Sequence, residues 1–351
     1  GDVAVIGCNT LTNGSNANQG AAFVYHKING TWIAIQKLAE INGTQNSFFG
    51  NSVAIDGEYI VIGAYGALAG GINTGAIFIY KKNGMIYDFV TKTTGSDSQA
   101  GDHFGCSVAI SGNYILAGAS DHDRGAGNSN FGAAYTFKLS GSTWSFHEKL
   151  VDFGNVANEN FGTTVDIFLD KLIVGAPHKP IGGVQQVGAI FPYVLQSNSW
   201  YNLPAINGPV IELLSFGNLI SIDSNHFVVA VKDPSMNYFK IYSFNPSPFP
   251  GTWSENYSEN IGVNLRFDDI SIRNGIISVG CHDNTAREGS VLIKKYLPAP
   301  AFTQQFFSNV YIALRINNFG NKVATDGSTI IISDKDPFGS YLGMAFFKNI
   351  D

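Results

Sequence analysis

The sequence predicts an all-β fold, a seven-bladed β-propeller of four-stranded antiparallel blades whose first and last blades are incomplete. Three observations carry that expectation. First, a Phe-Gly pair recurs at Phe49-Gly50, Phe104-Gly105, Phe161-Gly162, Phe216-Gly217 and Phe319-Gly320, with Phe267-Asp268 filling the one long gap, in steps of 51 to 57 residues. Self-similarity at such a period is the signature of a repeat architecture. Second, a common phrase follows each pair, as in FGNSVAIDGEYIVIGA, FGCSVAISGNYILAGA and FGTTVDIFLDKLIVGA, and then a third apolar run such as GAIFIYKK or GAAYTFKL. Third, the apolar runs are short, alternating, and rich in β-branched and aromatic residues. That is strand patterning, with no sustained helical period.

The elements follow in order. The run after Phe-Gly is the first strand, and tight pairs such as Asp56-Gly57, Ser111-Gly112 and Asn274-Gly275 turn it into the second. Second strands end at Gly63-Ala64, Gly118-Ala119 and Gly175-Ala176, where small residues let neighbouring sheets approach closely. Asn29-Gly30, Asn83-Gly84 and Ser140-Gly141 join third strands to fourth, since these residues accept the positive φ of two-residue hairpins. Trp32, Trp144, Trp200 and Trp253 open the fourth strand just after that turn and are expected to pack the outer edge of each blade. One such sheet cannot bury both faces alone, and radial stacking of copies solves that problem. Seven second strands begin at Val3, Tyr59, Tyr114, Leu172, Phe227, Ile276 and Thr329, against six first and six fourth strands. Closure of the ring is therefore expected to need an upstream segment or a strand from a partner chain.

Length alone would suggest about two domains of ~150 residues. Because the repeat runs from end to end, a single domain over 1–351 is expected instead, with repeats starting near 1, 49, 104, 161, 216, 267 and 319. Glycine supplies 40 of the 351 residues, and charged residues only 14%, against a usual ~25%. The net charge is −6 with no basic block, which argues against nucleic-acid binding. No run reaches the ~18 apolar residues of a membrane span, so no membrane insertion is expected. Cys8, Cys106 and Cys281 lie far apart without CxxC spacing and read as small apolar residues, not as reactive thiols or zinc ligands.

The Phe-Gly and Gly-Ala phrases, in register over nearly the whole chain and strongest from Trp32 to Trp200, resemble the FG-GAP repeat. That repeat builds the integrin α-subunit propeller and many bacterial surface and secreted proteins. The resemblance implies a secreted or surface-displayed recognition and adhesion propeller that binds protein or carbohydrate. It is weakest from about Pro204 to Pro300, where Ala230-Val231 replaces Gly-Ala. Integrin-type blades carry calcium in an acidic first-to-second loop. The corresponding connections here, such as Asp56-Gly57-Glu58 and Ser111-Gly112-Asn113, are too short to supply the 6–8 oxygens that calcium needs. No metal and no cofactor are therefore expected.

Chain direction puts the short hairpins on one face. The long second-to-third-strand and inter-blade loops lie on the other, where recognition usually sits. Candidate ligand-binding residues on those loops are Tyr65, Asp121, His122, Asp123, Arg124, His178, Lys179, Asp233, His282, Asp283, Asp336 and Tyr341. His103 is placed on an inter-blade loop of the same face, and His26 and His147 on or beside outer strands. No G-x-S-x-G elbow, P-loop or H-E-x-x-H motif occurs, so the chain is expected not to be an enzyme. Two alternatives stand beside recognition: a polysaccharide lyase or hydrolase working at the central funnel, and an assembly subunit docking through its open blade edge. Sequons at Asn13, Asn29, Asn42 and Asn256 match the number expected by chance in so Asn-, Ser- and Thr-rich a chain.

Overall fold

The computed structural model describes the chain except at residues 124–128, 155, 211–214, 233–236, 248–249, 263–264, 284–287, 296–313, 318, 335–344 and 350–351. Every regular element among the described residues is a strand, and the strands form successive antiparallel meanders. The chain divides into two compact units, Asp2–Asn218 and Leu219–Asp351, Gly1 grouping with the second.

The first unit opens with a three-stranded sheet, Val3–Cys8, Ala21–Ile28 and Thr31–Leu38. The Phe49 blade follows, with strands Ser52–Asp56, Tyr59–Ala64, Ala76–Asn83 and Ile86–Thr93. The Phe104 blade comprises Phe104–Ser111, Tyr114–Ala119, Ala133–Ser140 and Thr143–Leu150. In the Phe161 blade the strands are Thr164–Phe168, Lys171–Ala176, Ala189–Gln196 and Ser199–Asn202. The second unit holds a blade beginning at Leu219–Asp223, one beginning at Leu265–Arg273, and a three-stranded sheet beginning at Phe319–Thr325.

Among the described residues six sheets therefore open with a first strand of their own, and the blade count is six, not the expected seven. The higher figure came from counting second strands. Val3–Cys8 is a second strand by repeat position, but no first strand pairs with it among the described residues, so it starts a partial sheet.

Phe49-Gly50, Phe104-Gly105 and Phe161-Gly162 each join two sheets at once. The side chain belongs to its own blade: Phe49, Phe104 and Phe161 are fully buried and pack against third-strand aromatics Phe78, Tyr135 and Phe191, at centroid distances of 5.0, 5.4 and 5.1 Å. Burying a ring of that size stabilises by about 2–3 kcal/mol. The backbone belongs to the preceding sheet. The amides of Phe49, Phe104, Phe161 and Phe216 donate to the carbonyls of Gln19, Thr74, Phe131 and Val187, at 2.9, 2.9, 3.1 and 3.0 Å. These bonds accompany parallel bridges to Gly20, Gly75, Gly132 and Gly188.

Glycine is required on both sides of this joint. Gly50, Gly105, Gly162 and Gly217 sit at φ of +82° to +91°. The second-strand glycines Gly7, Gly63, Gly118 and Gly175 face their carbonyls so closely that an added Cβ would lie 1.9–2.1 Å from the oxygen.

Polar side chains complete the inner edge, where each first strand is paired in its own sheet on one side only. Ser52 Oγ accepts from Val108 N (3.0 Å) and Ser107 Oγ from Val165 N (3.1 Å). At the hairpins, Asp56 Oδ2 accepts from Gly112 N (2.6 Å) and Ser111 Oγ from Leu169 N (2.9 Å). The second unit repeats the device, with Ser221 to Ile272 N (3.2 Å) and Asp269 to Val323 N (3.0 Å). The hairpin aspartate that could suggest a cation ligand thus braces the next hairpin.

The tryptophans seal the seams farther out. Trp144 and Trp200 are buried and meet Tyr59 and Tyr114 of the preceding blade edge-on, each at 5.3 Å.

Replacing Gly118 by Ala, which puts a methyl into the Gly162 carbonyl, is expected to cost about 3 kcal/mol or more, as overpacking does. Gly112→Ala, at a hairpin with open space around it and φ +55°, should cost about 1–2 kcal/mol. Urea unfolding of the two variants beside the parent checks the ranking.

Candidate functional site

The long-loop face of the Asp2–Asn218 unit is ordered by charge clusters at its blade seams. Two positions recur. One is a carboxylate in the loop leaving a fourth strand: Glu40, Asp97 or Asp152. The other is a buried polar residue two places before Phe-Gly: Ser47, Asp102 or Glu159. A lysine closes each cluster. Lys92 Nζ bonds Glu40 Oε1 (2.7 Å) and the Leu68 carbonyl (2.6 Å), while Ser47 Oγ donates to Glu40 Oε2 (2.5 Å). Lys149 Nζ bonds Asp97 Oδ2 (2.6 Å) and the His122 Nε2 (2.7 Å), and His122 Nδ1 lies 2.8 Å from Asp102 Oδ2. Lys179 Nζ bonds Asp152 Oδ2 and Glu159 Oε2, the latter at 2.9 Å. The three ammonium groups also lie over Phe78, Tyr135 and Phe191, at 5.1, 5.7 and 5.5 Å from the ring centroids. Each cluster thereby ties an inter-blade loop to the aromatic that also receives the Phe-Gly ring.

Burial sets the protonation of these groups. Burial pushes the Glu159 carboxyl up to about 7, an effect that Lys179 opposes and Asp152 reinforces. Burial would also raise Asp152, but Lys179 and the Gly154 amide outweigh it and hold that carboxyl below its usual range. Asp97 is likewise held low, because hydrogen bonds from Lys149 and Tyr135 overcome desolvation.

A second set of contacts crosses three blades nearer the surface. Phe48 stacks on Tyr65 (4.7 Å, 8° between planes), and His103 meets Tyr65 edge-on at 5.4 Å. His103 Nδ1 pairs with Asp121 Oδ2; Asn160 Nδ2 donates to Asp121 Oδ1 at 2.7 Å; His178 Nδ1 lies 2.8 Å from Asn160 Oδ1. Phe48, His103 and Asn160 each precede a Phe-Gly phenylalanine and each sit at a φ of +53° to +56°, so one strained backbone position presents all three. The bond to Asp121 raises the His103 pKa above its usual value, while desolvation lowers that of His178.

The expected site residues therefore separate. Tyr65, Asp121 and His178 belong to the surface row, and Asp123 braces its own loop by accepting from Ser129 N (2.7 Å) and Asn130 N (2.9 Å). His122 is buried and Lys179 nearly so, both inside seam clusters. His282 and Asp283 were expected at the start of a loop, but they lie in the strand Ile276–Asp283, opposite Arg266 and Leu265. Arg124, Asp233, Asp336 and Tyr341 lie outside the described residues. Sequence reasoning missed Glu40, Asp97, Asp102, Lys149, Asp152, Glu159 and Asn160. The fixed offset of Ser47, Asp102 and Glu159 before Phe-Gly was the available signal.

Cys106 lies near His103 and Asp121, but burial pushes its thiol up to about 11 and its Sγ contacts the Gly162 carbonyl at 3.4 Å. A thiolate nucleophile is not available there. Among the described residues no three His, Cys, Asp or Glu side chains converge to hold a metal, and no helix is long and apolar enough to cross a membrane.

Residues 32–80 and 87–137 match the family model of the FG-GAP repeat, so the chain carries FG-GAP repeats in a β-propeller. No curated protein matches the chain. Among solved structures it is similar to the periplasmic gluconolactonase PpgL of Pseudomonas aeruginosa (TM-score 0.55, 9% identity, 98% of this chain and 95% of that one). It is also similar to Kluyveromyces lactis Hsv2 (TM-score 0.53, 8% identity, 96% and 93%). A third is the β-propeller domain of the Trilobed protease from Pyrococcus furiosus, described as having an open velcro topology (TM-score 0.52, 12% identity, 99% and 90%). At such identities the likeness establishes the propeller fold alone.

Because the folded-state pKa of His103 is raised, its pair with Asp121 stabilises fully below the unfolded value of 6.5 and loses that contribution as pH rises through the folded value. His103→Gln should therefore destabilise the protein more at pH 5 than at pH 9. Thermal melts of parent and variant across that range measure the difference.

Proposed function

We propose that this is a non-catalytic recognition propeller, secreted or displayed on a surface, that binds a protein or glycan through its long-loop face. The observation that carries the reading is the placement of exposed apolar tips on braced loops. Ile41 and Phe153 occupy one repeat position, immediately after the seam carboxylates Glu40 and Asp152, and are 79% and 81% exposed. Leu68 and Ile72 flank the tip of a small hairpin that Lys92 ties to Glu40. Bulky side chains held outward on fixed mounts lose little freedom on binding, which favours their use as contact anchors. His178 adds an exposed polar group from the neighbouring loop.

The chemistry of the face points the same way. Lys92, Lys149 and Lys179 are committed to seam carboxylates, His122 is locked between Asp102 and Lys149, and the Cys106 thiol is protonated. The exposed tips Ile41, Leu68, Ile72 and Phe153, with His178, are spread over several blades, which suits many shallow contacts.

A panel of immobilised glycans and purified extracellular proteins identifies the ligand class. The combined variant Ile41→Ser, Phe153→Ser and His178→Ala is expected to weaken binding at least about tenfold, as loss of anchor residues does. Its melting temperature should shift by less than about 2 °C, since such exposed positions carry little stability. Depolymerisation of a bound glycan by the parent protein would contradict the non-catalytic reading.

A further inference from the structure

The Asp152–Glu159–Lys179 cluster differs from its repeats in a way that bears on covalent chemistry. At the Glu40 seam the lysine meets one carboxylate, whose other oxygen takes a serine hydroxyl. At the Asp97 seam the lysine meets a carboxylate that is half exposed, and Asp102 is engaged by His122. Among the described residues only Lys179 touches two carboxyl groups that are both withdrawn from water. Side-chain exposure there is 13% for Lys179, 12% for Asp152 and 0% for Glu159. Glu159 Oε1 is buried without a hydrogen-bond partner, so the carboxyl has an oxygen free to carry a proton. Gly154 N donates to Asp152 Oδ1 at 3.0 Å, polarising the carboxyl that the lysine nitrogen contacts through Oδ2. The Phe191 ring lies under the lysine and excludes water from that side.

We propose that Lys179 and Asp152 become joined by an intramolecular amide bond, with Glu159 as the proton-transferring residue. The charged pair is the resting form, since Lys179 is held above and Asp152 below its usual range; a proton passing within the pair gives the minor neutral form, amine and carboxylic acid, from which the reaction proceeds. The Nζ lone pair attacks Asp152 Cγ, and Oδ1 takes the developing negative charge under the Gly154 amide. Glu159 accepts a proton from nitrogen and returns it to Oδ2, which leaves as water. One N–C bond forms, one C–O bond breaks, Glu159 ends as it began, and no oxidant or external reagent is consumed. Holding the amine against Asp152 Oδ2 supplies the effective concentration, which reaches ~10⁵ M or more in well-oriented intramolecular reactions. The product would staple two loops 27 residues apart at the seam and does not depend on what the long-loop face binds.

The intact mass of the purified full chain tests this directly. The parent protein is expected to be lighter than its sequence by one water, with a proteolytic fragment containing both Asp152 and Lys179 linked side chain to side chain. Glu159→Gln, checked for folding by circular dichroism, should recover the full mass; Lys179→Arg should do the same. Asp152→Asn should instead be lighter by one ammonia, the leaving group that an amide supplies. A parent protein at full sequence mass overturns the proposal, and so does a water loss mapped to other residues. A linked Glu159→Gln chain would overturn the role given to that carboxyl.

Discussion

The closest constraint in this fold is a backbone carbonyl that occupies the place of a missing Cβ. At four successive joints the carbonyl of a Phe-Gly glycine lies within 1.9–2.1 Å of where a side chain on the preceding second strand would begin. That approach lets the phenylalanine amide reach the start of the third strand, and it delivers the ring into the core of its own blade. Spacing between sheets is thereby fixed by glycine, and the polar bonds of the inner edge follow from that spacing. The second unit supplies the counter-case. Where Ala230 stands in the second strand, Asn237 opens the third strand and Asp268 follows Phe267, so all three glycine positions of that joint are lost together. They return together one blade later as Gly280, Gly289 and Gly320. A joint that has given up one glycine gains nothing from the other two.

The same geometry explains why the charged residues are so few and so committed. Close sheets leave inter-blade loops lying directly over buried aromatics, where an unpaired polar group would be expensive. Glu40, Asp97 and Asp152 meet lysines there, each lysine also resting on a ring. Truncating one partner of such a pair leaves the other stranded, so these clusters hold loop positions more than they add net stability. Fixed loops in turn hold Ile41 and Phe153 out into solvent, which links the seam chemistry to the proposed recognition face.

Much of the fold was legible because each strand announces itself locally. Asp56-Gly57 and Asn83-Gly84 mark hairpins, Gly63-Ala64 marks a close approach, and Trp144 marks a fourth strand, each within a few residues. The seam clusters were not legible, since their partners come from different repeats: Lys92 and Glu40 lie 52 residues apart, as do Lys149 and Asp97. His122 illustrates the difficulty. Its neighbours Asp121 and Asp123 suggested an exposed polar cluster, yet its own ring is buried against Asp102 and Lys149 while Asp121 turns to His103 and Asn160. Blade count failed for a topological reason, because Val3–Cys8 has the sequence of a second strand whether or not a first strand pairs with it.

Hydrogen exchange resolved to single amides tests the central claim most directly. The amides of Phe49, Phe104, Phe161 and Phe216 carry the bonds that join one sheet to the next. If the Phe-Gly joints hold the sheets in place, these four amides exchange only through global unfolding, as slowly as the second-strand amides of Val61 and Leu116. Fast exchange at the phenylalanines, with the second strands still protected, would show that the sheets are held together by something else.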